Sequence, residues 1–225
     1  LGGGLILGAI LFFGVTSAVA GTAAVAAAGA LYILCGALVI ARAGAFYTSF
    51  GFANALTLAR LVIASVFAGL AVQFCLAGAA ADRAMWGFTA LAAAALVIDG
   101  LDGFAARRLG QSSSFGARFD MEVDALLILV LSVIAFAIGK AALWVIAGGL
   151  LRYLYVLAAC ISPALSRPLA PSWRRKAIAV IQGTALTALL APVVQPPLST
   201  AAALIALVLL VYSFAVDIAA QVRGQ

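Results

Sequence analysis

The chain has no histidine, and its three cysteines, Cys35, Cys75 and Cys160, each stand inside an apolar run. A zinc-type centre built from imidazole and thiolate is therefore not expected. A sparse, odd set of cysteines also argues against a disulfide-stapled secreted domain. Charge is scarce too: 9% of the 225 residues are Asp, Glu, Lys or Arg, against a usual share of about 25% in water-soluble domains. With 67% of its residues hydrophobic, the chain reads as a membrane protein, and every charge inside a spanning segment demands a reason. The net charge of +6 does not point to nucleic acid, because there is no solvated basic domain to present it. Anionic lipid headgroups and phosphates are the expected partners, with no role for nucleic acid.

What is present is a series of apolar runs of spanning length, roughly 20 residues each. They predict an all-α, polytopic membrane helix bundle of about eight helices, over 4–20, 22–41, 55–79, 86–106, 116–138, 142–161, 177–194 and 199–220. The cuts fall at Gly21, Asp82-Arg83, Gly110 to Ser114, Gly139-Lys140, the proline-bearing stretch from Ser162 to Lys176, and Pro196-Pro197. The first run lacks a basic segment ahead of it and continues into a second, so it reads as a helix rather than a cleaved leader. Cytoplasmic loops carry the Lys/Arg excess. If the loop at Arg107 is cytoplasmic, that side receives Arg42, Arg107, Arg108, Arg167, Arg174, Arg175, Lys176 and Arg223, and the other side only Arg83 and Lys140. Both termini are then expected inside, in a bacterial cell (inner) membrane. Phe46, Tyr47, Phe50 and Phe52 suggest either a short interfacial segment or an aromatic-rich loop.

Five of the seven acids, Asp99, Asp102, Asp120, Glu122 and Asp124, fall within 26 consecutive residues. Asp99 and Asp102 are three positions apart and Asp120 and Asp124 four, so each pair shares one helical face. In a helical hairpin the two pairs can face each other. Four converging carboxylates without basic partners would repel one another unless hard cations sit between them. Oxygen-only ligands indicate Mg²⁺ or Mn²⁺, two ions being the best fit. Gly103 follows Asp99 by four and Gly116 precedes Asp120 by four, each leaving bare backbone about 6 Å along the axis where a ligand can approach. Ala106 is similarly small, and Arg107 supplies a bidentate donor suited to a phosphate. The set describes a site for a metal-bound diphosphate. The competing interpretation of the acids, a proton or cation pathway in an ion-coupled carrier, has no need for the glycine and arginine spacing.

The arrangement Asp99-x2-Asp102-Gly103-x2-Ala106-Arg107-x8-Gly116-x3-Asp120-x3-Asp124 resembles the signature of the CDP-alcohol phosphotransferase family at every fixed position. Asn54, Thr57 and Arg60 resemble the family's N-x2-T-x2-R pattern, and Lys176 and Gln182 are weaker echoes. The resemblance implies a six-helix core at 46–225, preceded by two additional transmembrane helices in 1–45, and a homodimer. It implies that Asp99, Asp102, Asp120 and Asp124 bind two divalent cations, with Asp124 also the general base on the acceptor hydroxyl. Asp102, Gly103, Ala106, Arg107 and Gly116 would shape the cytidine diphosphate site. The implied reaction transfers a phosphatidyl group from CDP-diacylglycerol to a polar alcohol with release of CMP, as in phospholipid synthesis. The reversed logic, a soluble CDP-choline- or CDP-ethanolamine-type donor acting on diacylglycerol, shares the motif.

Arg60, Arg118 and Arg152 lie within predicted helices, either as contacts for the diphosphate or an anionic acceptor, or as balance for the aspartate and metal charge. Arg174, Arg175 and Lys176 are either orientation determinants touching anionic lipid or part of acceptor binding. The family's G-K-x2-T stretch is replaced here by Arg175-Lys176-Ala177-Ile178-Ala179, and Ala125 follows Asp124 where several branches carry a basic residue. The resemblance therefore does not name the acceptor. Glu122, on a different face from the aspartates, is expected to be an interfacial or partner-facing charge.

Overall fold

The computed structural model describes residues 21–43, 52–78, 80–109, 114–166 and 172–223; for 36, 38–43, 52–54, 101–109 and 114–115 it describes the backbone alone. Among the described residues there are seven α-helices and no strand: α1 (Thr22–Ala43), α2 (Phe52–Ala77), α3 (Asp82–Leu109), α4 (Ser114–Ala137), α5 (Ile146–Ile161), α6 (Trp173–Leu189) and α7 (Leu198–Arg223). A single 3₁₀ turn, Leu143–Val145, leads into α5. The expected span at 4–20 and most of the aromatic segment at 46–52 lie outside the described residues; Phe52 opens α2. The sixth helix starts earlier than its apolar run suggested. Trp173 to Lys176 form its first turn, directly after Ser172, and it ends at Leu189 just ahead of Pro192.

Local chemistry sets the ends. After α2, Gly78 takes a φ of +79° that only glycine adopts without strain, and its N–H returns to the Phe74 carbonyl. The end of α4 is a Schellman motif: Gly139, at φ +73°, donates to Phe136 O at 3.0 Å, and Lys140 donates to Ala135 O at 2.9 Å. Asp82 opens α3, where a negative side chain is favoured by the exposed N–H groups of the first turn.

The bundle is organised around α2, which packs against α1, α3 and α4; α4 also meets α5 and α6, and α6 meets α3 and α7. Its core holds Phe67, Leu70 and Phe74 of α2, Leu131 and Ile134 of α4, and Leu186 and Leu189 of α6. Between helices in lipid the driving force is close packing rather than water expulsion, and small residues provide it. A Cβ placed on Gly69 of α2 would stand 2.7 Å from the Ala24 carbonyl oxygen of α1, and one on Gly149 of α5 would collide with Leu129 of α4. The outer surfaces are apolar along their length. Leu150, Leu154, Leu157 and Ile161 of α5 and Leu204, Ile205, Val208 and Val211 of α7 are all exposed, an arrangement suited to lipid and not to water. Three helical stretches are long and apolar enough to cross a membrane: Ala55–Ala77, Leu143–Ile161 and Leu198–Arg223.

Polar contacts mark the two ends of the bundle. At one, the buried Lys140 ammonium donates to Val194 O at 2.6 Å and Ala191 O at 3.4 Å, both in the connection between α6 and α7. Ser199 donates to Lys140 O at 2.7 Å, so the start of α7 is tied to the same point. The beginning of α1 belongs to this end too, because Gly21 N donates to Gln73 Oε1 near the end of α2. At the opposite end, Tyr155 Oη of α5 donates to Gln221 Oε1 of α7 at 2.7 Å, and Arg174 of α6 reaches Ser213 and Asp217 of α7.

Candidate active site

The site lies at this second end, where α2 begins, α3 finishes and α4 begins. Among the described residues α3 and α4 both pack along α2. The facing expected of the two helices is seen for the described side chains: Asp99 of α3 and Asp120 and Asp124 of α4 each bring an oxygen within 4.8 Å of the others, and α2 adds a side chain to them. Arg60 Nη1 lies 2.7 Å from Asp99 Oδ1 of α3 and 2.7 Å from Asp120 Oδ1 of α4, while Nη2 pairs with Asp124 Oδ1. One guanidinium thus bridges three of the carboxylates and balances part of their charge, one of the two roles the sequence offered for Arg60. A planar fork with five N–H donors can do this, whereas a lysine ammonium cannot span the same points.

Burial separates the two sides of the cluster. The Arg60 side chain is 1% exposed, and those of Asp99, Asp120 and Asp124 are 32%, 33% and 36% exposed. The arginine therefore enters from inside the bundle, and the carboxylates stay open on the other side. Behind them, Tyr32 of α1, Leu58 and Leu61 of α2, and Phe119 and Val123 of α4 form a small apolar cluster that seats the first turns of α2 and α4. Thr57, one turn before Arg60 on α2, is buried.

The donor set fits a hard divalent cation. Asp99, Asp120 and Asp124 can each offer an oxygen, all within 4.8 Å of one another, with no nitrogen or sulfur ligand among them. Asp102 sits on α3 three positions beyond Asp99, on the same backbone face, but its side chain lies outside the described residues, as do those of Ala106 and Arg107; of Gly103 the backbone is described. Gly116, partly buried, is one turn before Asp120 on α4.

The remaining candidates are dispersed. Arg118 is exposed on α4. Arg152 Nη2 of α5 pairs with Glu122 Oε1 of α4 at 2.6 Å, which gives Glu122 an intramolecular partner. Arg174 donates through Nη1 to Ser213 O at 2.8 Å and through Nη2 to Asp217, which Arg175 Nη1 also reaches at 3.2 Å. Lys176 is exposed, its Nζ 5.7 Å from the centre of the Trp173 ring, and Gln182 is buried in the core beside Gly148. Asp217 carried no expectation from the sequence. Its signal was present nonetheless: an acid four residues after Ser213 on one face of an otherwise apolar helix.

The described residues define a helical protein with three stretches long and apolar enough to cross a membrane and an oxygen-rich acidic centre at one end of its bundle. A family model described as CDP-alcohol phosphatidyltransferase matches residues 50–215, and the chain belongs to that family. It is therefore a transferase of the class that serves phospholipid biosynthesis, with CDP-alcohol substrates and CMP as product. No curated protein and no solved structure matches the chain.

Proposed function

We propose that this protein transfers the phosphatidyl group of CDP-diacylglycerol to the hydroxyl of a polar alcohol and releases CMP, with the reaction centred on the α3–α4 aspartates. The observation that carries this reading is the convergence of Asp99, Asp120 and Asp124 from two helices on one point, half open to ligand. Asp99, Asp102, Asp120 and Asp124 would hold two divalent cations, Mg²⁺ or Mn²⁺. Bound there, the ions would supply charge stabilisation for the diphosphate and the departing CMP.

The chain's own residues do the rest. Gly103, Ala106 and Gly116, with little or no side chain, would let the cytidine diphosphate come close, and Arg107 would offer paired N–H donors to a phosphate. Asp124 accepts the proton of the acceptor hydroxyl as that oxygen attacks the phosphorus distal to the cytidine. A neutral hydroxyl is a poor nucleophile near pH 7, and a positioned base contributes typically 10²–10⁴-fold. The lipid tails lie against the apolar outer faces of the bundle, and the headgroup reaches the site end. That end is the cytoplasmic one, where CMP and a soluble acceptor exchange, and the molecule works as a homodimer in a bacterial inner membrane.

Purified protein should release CMP from CDP-diacylglycerol only with Mg²⁺ or Mn²⁺, and Asp124→Asn should lower that rate by 10²-fold or more while the protein remains folded. Full turnover by Asp124→Asn would remove the general-base assignment. An acceptor panel of glycerol 3-phosphate, serine, inositol, inositol phosphate, choline and phosphatidylglycerol, read by lipid mass, names the alcohol. Turnover of CDP-choline or CDP-ethanolamine with diacylglycerol, in place of CDP-diacylglycerol, would reverse the donor. Aspartate-dependent ion flux in liposomes with no CDP-linked turnover would replace the enzyme with a carrier.

A further inference from the structure

Arg60 is the most deeply buried charged side chain among the described residues, and it spends both Nη groups on the carboxylates that would hold metal. Its partners come from two different helices, so it sets the spacing between α3 and α4 at the site. The contacts engage one oxygen, Oδ1, on each of Asp99, Asp120 and Asp124. A divalent ion drawn to the cluster must compete with the guanidinium for those oxygens, and the two cations repel each other in a partly desolvated place.

We propose that Arg60 is a positioning residue that serves as the resident counter-cation of the aspartate cluster. Without an ion, it keeps three like charges converged that would otherwise push α3 and α4 apart. When an ion binds, the guanidinium gives up part of its hold on the carboxylates. The site is thereby kept assembled at the cost of weaker metal binding. This rests on reading the cluster as a metal site.

The test compares wild type, Arg60→Met and Arg60→Lys, purified in detergent and stripped with EDTA. Two quantities are measured: Mn²⁺ affinity, from the loss of the free-Mn²⁺ electron paramagnetic resonance signal, and thermal unfolding with and without Mn²⁺. Arg60→Met removes the one basic side chain that, among the described residues, pairs with these three carboxylates. It should bind Mn²⁺ at least tenfold more tightly than wild type, unfold at a lower temperature when metal-free, and regain more of that loss on adding Mn²⁺. Arg60→Lys keeps the charge without the fork and should fall between the two. If Arg60→Met does not survive without metal, Arg60→Lys decides the question, with at least threefold tighter binding expected.

Equal or weaker Mn²⁺ binding in the variants overturns the proposal and leaves the metal site standing. Equal loss of stability with and without Mn²⁺, at unchanged affinity, assigns Arg60 a packing role only and also overturns it. No Mn²⁺ binding by wild type or either variant removes the metal reading itself, and this proposal with it.

Discussion

At a single side chain, what matters is how much of its charge has been taken out of solvent. Arg60 and Glu122 stand at the extremes: the arginine is 1% exposed with three carboxylate partners, and the Glu122 side chain is 51% exposed with one arginine partner. An exposed pair gains little, because solvent and salt screen it and two long side chains must be held still. Glu122→Gln is therefore expected to change stability by less than about 1 kcal/mol and to leave CMP release within a factor of two, both checked on the purified protein. A large loss of activity would mean that Glu122 touches substrate. The aspartates were legible from spacing alone, since separations of three and four residues put each pair on one helical face. Arg60 was legible as a charge needing a reason, but not as the bridge. It stands 39 residues before Asp99, and no spacing rule connects the two.

At the level of helices, the capping residues decide where each rod stops and what it can tie to. Gly139 turns the end of α4 so that Lys140 points back under α6, and its ammonium then serves the carbonyls of Ala191 and Val194. Lys140→Ala leaves those carbonyls without their donor and is expected to cost about 1–3 kcal/mol, read as a lower unfolding temperature in detergent. The same burial pushes the Lys140 ammonium below its ordinary pKa, with the carboxylate of Asp82 partly opposing the shift. The folded protein thus gives up this proton before the unfolded chain does. Stability from this group should rise with pH between the lowered folded value and the ordinary one near about 10.4, and Lys140→Ala should remove that slope. Element positions followed closely from apolar run length and from Gly and Pro punctuation. The departure at α6 arose because Arg174, Arg175 and Lys176 were counted as loop, whereas a helix tolerates them once their charges meet Asp217 and the membrane surface.

Over the whole molecule, the alternation of helix directions separates two polar ends. Among the described basic residues, Arg174, Arg175, Lys176 and Arg223 lie at the end that holds the aspartates, and Arg83 and Lys140 at the other. The site end is accordingly expected to face the cytoplasm. In a chain whose native cysteines have been replaced, Gln195→Cys on intact cells should react with a membrane-impermeant maleimide, while Ser166→Cys should react only after the membrane is opened. The opposite pattern would invert the topology and place the reaction on the outer face.

The sequence by itself determined that the chain is built of apolar helices suited to lipid, roughly where the described helices begin and end, and which 26 residues gather five of the seven acids. These are properties of composition and of local periodicity, which act over a few residues. Only the tertiary structure decided that α2 packs against both aspartate helices, that Arg60 bridges their carboxylates, and that Asp217 ties down the basic start of α6. Each of these depends on which faces of distant helices bury together. Close packing at small residues, as where Gly69 meets α1 and Gly149 meets α4, is one way such faces are matched across tens of residues of chain, beyond the reach of any local pattern.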